Sequence, residues 1–299
     1  MWVWKNRHEI DIEEWDLFLS NSNEPFVEFN SWYLDICCRN WGAFFNLENN
    51  SRIPIPFIKN LFSIKSVTRP PYIQRIKIIH SLIPSETEIH SLFKSIESRF
   101  SCGLLNWDYY FEGSKIRANY IAERNVNLYS QSQNRNLSKS IKNNLHFKII
   151  SKSDELFQWL NSNDEKYIYE RDFNNSLFKD LVNKLLLEDK AKIILALDEN
   201  NRIHAGAIFT ISDSRIVFFL SFNSKIGKKN GAIVGIIHYV QSNIMQTHQI
   251  LDLEGSDIPG VALFYEGFGA IKTSYFELTW NNNLLCRIIF QLKRVFAKI

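Results

Sequence analysis

Cysteine is scarce in this chain. The four present, adjacent at Cys37 and Cys38 and isolated at Cys102 and Cys286, have neither metal-ligand spacing nor the pattern of a disulfide framework. No window approaches the ~18 uninterrupted apolar residues of a membrane-spanning helix, and the opening MWVWKNRHEIDIEEW lacks the apolar run of a secretory leader. The sequence therefore predicts a soluble protein of a reducing cytoplasm with no integral membrane segment. A large charge excess is missing too: the formal net charge is +3, so any anion site must be local. No zinc-ligand set and no nucleophile constellation stands out, and no metal is expected. His238 and His248 read as structural or exposed histidines. Apolar side chains are plentiful, with 45% hydrophobic and 14% aromatic residues, which excludes wholesale disorder. A length of 299 residues suits two domains of about 100–200 residues each.

The densest information lies in residues 251–280, LDLEGSDIPGVALFYEGFGAIKTSYFELTW. Leu251 and Leu253 alternate with Asp252 and Glu254, the period of a half-buried strand that sends both carboxylates to one face. Gly255 ends that strand, and Pro259 suits the first turn of a helix capped by Ser256 or Asp257. Val261, Phe264, Tyr265 and Phe268 give the helix an apolar stripe.

Elsewhere, 12–20 and 31–41 read as helices with buried faces that include Trp15, Trp32 and Trp41. Short β-like runs fill 43–79, a helix follows over 87–100, and 104–111 is a strand. In the second half, 193–197, 206–210, 216–222 and 250–253 are strands and 232–245 a helix. A shift of roughly 147 residues lays the first helix–strand pair on the second, a weak internal repeat of element order. Between the halves runs a polar stretch with Arg135, Lys139, Lys142 and Lys148 and no acid, partly helical. The last segment, NLLCRIIFQLKRVFAKI, reads as a basic amphipathic helix able to dock on the protein or lie on a membrane surface.

FYEGFGA, Phe264 to Ala270, resembles the LYEKxGF segment that closes the acyl-CoA binding core of the GNAT superfamily of N-acetyltransferases. The preceding LDLEGSDIPG and the echo between halves resemble the tandem, two-GNAT-domain proteins of the FemAB-like group. This resemblance implies an α/β (α+β) fold of two tandem GNAT-like domains, each a mixed, mostly antiparallel sheet flanked by helices: a degenerate one over 1–133 and one with the donor site over 134–299, divided at the polar stretch because FemAB-like proteins carry a similar basic, Asn-rich helix entering their second domain. It places a tyrosine general acid at Tyr265, a residue that as a core aromatic needs no such role.

The loop SKIGKKNGAIVG follows an apolar strand and precedes a helix, a topology that presents backbone N–H groups and lysines to an anion. Lys225, Gly227, Lys228, Lys229, Asn230, Gly231 and Ala232 are the candidate residues for a CoA pyrophosphate, although they match the superfamily's Q/R-x-x-G-x-G/A pattern only in part. They equally suit a solvated lysine turn. Glu254, and after it Asp252, are candidate bases for an attacking amine, or plain solvent-facing carboxylates. The expected activity is acyl transfer from acyl-CoA to an amine of a small molecule or cell-envelope precursor. FemAB-like aminoacyl transfer from tRNA is the first alternative, and a non-catalytic binding protein of the same fold the second.

Overall fold

The computed structural model describes residues 1–59, 64–162 and 176–282. Two compact units emerge, one from Met1–Arg117 and the chain from Ser274 on, the other from Ala118–Thr273. Both are mixed, mostly antiparallel sheets flanked by helices.

In the first unit, β1 (Trp2–Asn6), β2 (Asn40–Asn46), β3 (Ser51–Lys59), β4 (Lys65–Val67), β5 (Cys102–Trp107) and β12 (Ile271–Asn281) lie in the order β1-β2-β3-β4-β5-β12. Only β4 and β5 run parallel. Pro54 and Pro56 sit in β3, where Pro lacks a ladder donor, and β4 joins β3 only from Phe57 on. The helices are α1 (Ile12–Ser20), α2 (Ser31–Cys37) and α3 (Glu86–Arg99), the last connecting the parallel pair. Trp15 of α1 is fully buried and donates its indole N–H to the Phe29 carbonyl at 2.8 Å, so the ring brings a satisfied donor into the core. Trp41, expected in the second helix, stands in β2 instead, because α2 stops at Cys37 and pairing with β3 begins at Asn40. The run 72–79, expected as a strand, forms two isolated bridges, Arg52↔Ile79 and Ile76↔Trp107.

In the second unit the order is β6 (Lys115–Ala122), β11 (Ile250–Asp252), β10 (Arg215–Asn223), β9 (Ile203–Ile211), β8 (Ala191–Leu197) and β7 (His146–Ile150). Again one pair, β10 and β11, is parallel. Around the sheet lie α4 (Gln131–Lys142), α5 (Asp154–Ser162), α6 (Ser176–Leu187), the short α7 (Lys225–Lys229), α8 (Ala232–Tyr239) and α9 (Pro259–Glu266). From Ala232 to Ile237 every residue of α8 is buried, so apolar all-round composition and central position agree. A π-helical turn, Val240–Ile244, continues it.

Reading β1-β2-β3-β4-β5-β12 beside β7-β8-β9-β10-β11-β6 gives the same sequence of antiparallel and parallel neighbours. α3 and α8 are the matching crossovers. The strand that follows each parallel pair along the chain is the one that completes the order in the other unit. The segment 283–299, expected as a basic helix, lies outside the described residues.

Candidate active site at the parting of the parallel strands

β10 and β11 pair over three positions only, Arg215↔Ile250, Ile216↔Leu251 and Val217↔Asp252. β10 then continues on β9 as far as Asn223, with a register shift between Phe218 and Leu220, while β11 stops. Among the described residues no strand pairs β10 on the β11 side beyond Val217. Such an edge offers backbone N–H and C=O groups to an extended amide-bearing arm.

β11 stops because the backbone turns at Glu254, whose φ of 58° lies in the left-handed region. The Glu254 N–H donates to Asp252 Oδ1 at 2.9 Å. Around this turn, the Leu253 N–H reaches the Tyr120 carbonyl at 2.9 Å and the Tyr120 N–H reaches the Glu254 carbonyl at 3.0 Å. Asp252 is only 3% exposed, paired with the buried Arg215 and accepting from Asn119 Nδ2 at 3.0 Å. The even alternation expected over 251–254 therefore ends early: Leu251, Asp252 and Leu253 are all buried, and Glu254 is half-buried.

Tyr265 lies on α9, half-buried, with ring centroids 5.7 Å from Tyr120, 5.9 Å from Phe264 and 6.5 Å from Phe218. Phe218 marks the register shift on β10, and Tyr120 bonds the Glu254 turn. Glu254 and Tyr265 are thus each one contact from Tyr120, at the place where the strands part. Pro259 occupies the first turn of α9 as expected, but the cap residue is Ile258; Ser256 Oγ accepts the Ile258 N–H at 3.1 Å, one residue ahead of the helix.

The lysine loop forms the one-turn helix α7, capped by Ser224, whose Oγ accepts the Gly227 N–H at 3.0 Å. Lys225, Lys228 and Lys229 are exposed; Gly227, Asn230, Gly231 and Ala232 are buried. A Cβ on Gly227 would stand 2.2 Å from the His204 carbonyl oxygen, and one on Gly231 2.1 Å from that of Asn136 in α4. Both glycines therefore serve close backbone contacts. Gly231, at φ 69°, also starts α8 without a side-chain cap. Its contact with Asn136 brings the loop against α4, where Arg135, Lys139 and Lys142 are exposed. Lys148 lies beyond, on β7, paired with Glu155 at 2.8 Å.

Arg215 and Asn119, the partners that fix Asp252, carry no motif, and their separations from it of 37 and 133 residues leave no periodic signal. Behind the site, the Tyr129 hydroxyl donates to Gln241 Oε1 at 2.5 Å, and its ring meets His238 and Phe268. Burial raises the Tyr129 hydroxyl's pKa and lowers that of the His238 imidazole. Among the described residues no cluster of three or more His, Cys, Asp or Glu side chains is placed to hold a metal ion. Nor is any helix there long and apolar enough to cross a membrane.

No protein-family model matches this sequence, and no curated protein matches it. Solved structures do. FemX superposes with a TM-score of 0.66 at 12% identity, covering 95% of this chain and 98% of that one. L-PGS from Bacillus licheniformis gives 0.58 at 13% identity over 93% and 95% of the two chains. The C-terminal domain of an Agrobacterium fabrum protein described as a lysylphosphatidylglycerol synthetase gives 0.56 at 10% identity, over 95% of each. The chain has the FemAB/GNAT-like fold.

Proposed function

We propose that this protein is an acyltransferase that joins an activated acyl group to an amine by direct attack, with its donor site in the second unit. One observation carries this reading: β10 and β11 part after Val217↔Asp252, beside the Glu254 turn and the Tyr265 ring. An extended thioester arm would lie along the open edge of β10, its carbonyl oxygen polarised by a backbone N–H. The amine nitrogen attacks the acyl carbon, and Glu254 accepts the proton that the amine sheds. The carbon–sulfur bond then breaks, and Tyr265 donates its hydroxyl proton to the departing thiolate. Lys225, Lys228 and Lys229 supply charge for the donor's phosphates at the loop formed with Gly227, Asn230, Gly231 and Ala232. The co-substrate in this reading is acetyl-CoA or another acyl-CoA, and the acceptor an amine of a small molecule or cell-envelope precursor.

A second donor is favoured by a separate observation. Arg135, Lys139 and Lys142 extend the cationic surface along α4, beyond the span of one pyrophosphate, as an aminoacyl-tRNA would require. Likeness to FemX, the structure named above, points the same way. The leaving group is then a ribose oxygen. Calorimetric titration with acetyl-CoA, a longer acyl-CoA and a charged tRNA tests both. Micromolar acyl-CoA binding that is lost in Lys228→Ala, Lys229→Ala supports the first donor. Binding of tRNA alone supports the second, and binding of none leaves a non-catalytic protein of this fold.

A further inference from the structure

Asp252 has neither of the roles a strand carboxylate usually takes. It is not in solvent, and its oxygens are occupied: Asn119 Nδ2 and the Glu254 N–H donate to Oδ1, and Arg215 Nη1 to Oδ2. Asp252 and Arg215 are 3% and 7% exposed, and Asn119 fully buried. A buried carboxylate with three donors is fixed in place, since releasing any one of them strands a buried polar group. The donor that matters for chemistry is the Glu254 amide. A non-glycine residue at φ 58° is held there only where its surroundings determine it. Here the surroundings are explicit, with the N–H tied to Asp252 and the carbonyl tied to the Tyr120 N–H at 3.0 Å.

We infer that Asp252 is a positioning residue: clamped by Arg215 and Asn119, it holds Glu254 in the left-handed turn from which that carboxylate serves the opening between β10 and β11. This rests on the reading of Glu254 as the base. Sequence alternation put the two acids on one face as successive candidates for the base, whereas the geometry makes one the support of the other. The arrangement also explains why β11 ends so soon, because the amide that would continue the strand is taken by the side chain two residues earlier, an Asx turn.

The test compares wild type, Asp252→Ala, the double variant Asp252→Ala with Arg215→Leu, and Glu254→Gln. The double variant removes the buried cation that the single one leaves unpaired, so it remains informative where Asp252→Ala fails to fold. Two readouts are taken: the Cα resonance and amide exchange of Glu254, and transfer to glycinamide from acetyl-CoA and, separately, from alanyl-tRNA across pH. The expected result in the folded variants is a Glu254 resonance outside the left-handed range and amide exchange at least about tenfold faster. Transfer kcat should fall about tenfold to a hundredfold at unchanged KM for the donor, with a displaced acidic limb in the pH profile. A Glu254 amide as protected as in wild type, or an unchanged pH profile while Glu254→Gln is inactive, overturns the positioning role alone. Full transfer by Glu254→Gln, or none by wild type from either donor, overturns the reading beneath it.

Discussion

The two units follow the same strand order yet treat the space beside their parallel pair differently. In the first, the chain leaves β4 after Val67↔Gly103, makes a turn at residues 71–72 with Tyr72 at φ 61°, and returns to β5 at Ile76↔Trp107. In the second, nothing among the described residues returns to β10. The crossover helices diverge as well. α3 opens with a capping box in which Ser85 Oγ and the Glu88 carboxylate exchange bonds with each other's backbone, and its first turn carries Glu86 and Glu88. α8 opens on Gly231 with no side-chain cap, no acid in its first turn, and lysines just before it. A helix start filled by its own acids repels an anion, and one left without them favours it. Among the described residues one topology thus occurs twice, with the strands beside the parallel pair parted and the crossover helix free of first-turn acids in the second copy.

The sharpest way to break this comparison is through the ion pairs. Arg215→Met leaves Asp252 buried and unpaired in the second unit, and should cost about 3–5 kcal/mol in urea denaturation. Arg117→Met removes the partner of Glu277 in the first unit, where the side chains are 23% and 18% exposed, and should cost about 1–2 kcal/mol. Equal losses would mean that the pair at the site is no more anchored than an ordinary one.

The helix starts sharpen it next. Gly231→Ala forces a Cβ against the Asn136 carbonyl at an already left-handed φ, and should cost about 2–3 kcal/mol by pushing α4 from α8. Ser85→Ala removes only a cap, worth about 1 kcal/mol. Thermal denaturation of the two variants ranks them, and a reversed order would show that α4 yields easily. For donor affinity the contrast is one of charge. Lys228→Ala, Lys229→Ala should weaken an anionic donor about tenfold at low salt and less at high salt, whereas Glu86→Gln in the first unit should leave it unchanged. Calorimetry at two ionic strengths checks both.

Much of this contrast was legible in the chain. The strand over 250–253, Pro259 starting a helix and the lysine loop between strand and helix are local patterns, and local patterns survive folding. The roughly 147-residue echo was legible for the same reason, since α3 with β5 and α8 with β11 each form a strand-crossover unit. What stayed hidden was set by distance. The bonds from Arg215 and Asn119 to Asp252 join residues far apart in sequence, and nothing in LDLEGS announces that its first acid is buried and its second twisted. The role of Gly231 was hidden likewise: a glycine before a helix suggests room for phosphate, and only the Asn136 carbonyl shows that the room is also taken by α4. Trp41 illustrates a different limit, since an aromatic at helical spacing fits a strand equally well once a partner strand is present.

The smallest effect concerns acid. Each unit holds a half-buried histidine with a lowered pKa, His80 in the first and His238 in the second, in both cases chiefly through loss of hydration around the charged ring. The unfolded chain binds a proton near the ordinary value of 6.5, the folded one only at lower pH. Stability from this source is therefore complete above about 6.5 and is lost as pH falls toward the lowered folded value. Glu88 acts at lower pH: its carboxylate, held below the ordinary 4.5 chiefly by the Ser85 N–H, contributes stability that is lost as pH drops through its depressed value. The window between about pH 5 and 6.5 thus isolates the histidines. His238→Gln should flatten part of the stability loss there, by less than about 0.5 kcal/mol once solvent screening is allowed for. His80→Gln should flatten a further part. Urea midpoints measured at half-unit pH steps read both, and an unchanged slope in His238→Gln would mean that the Tyr129–Gln241 neighbourhood admits the charged ring after all.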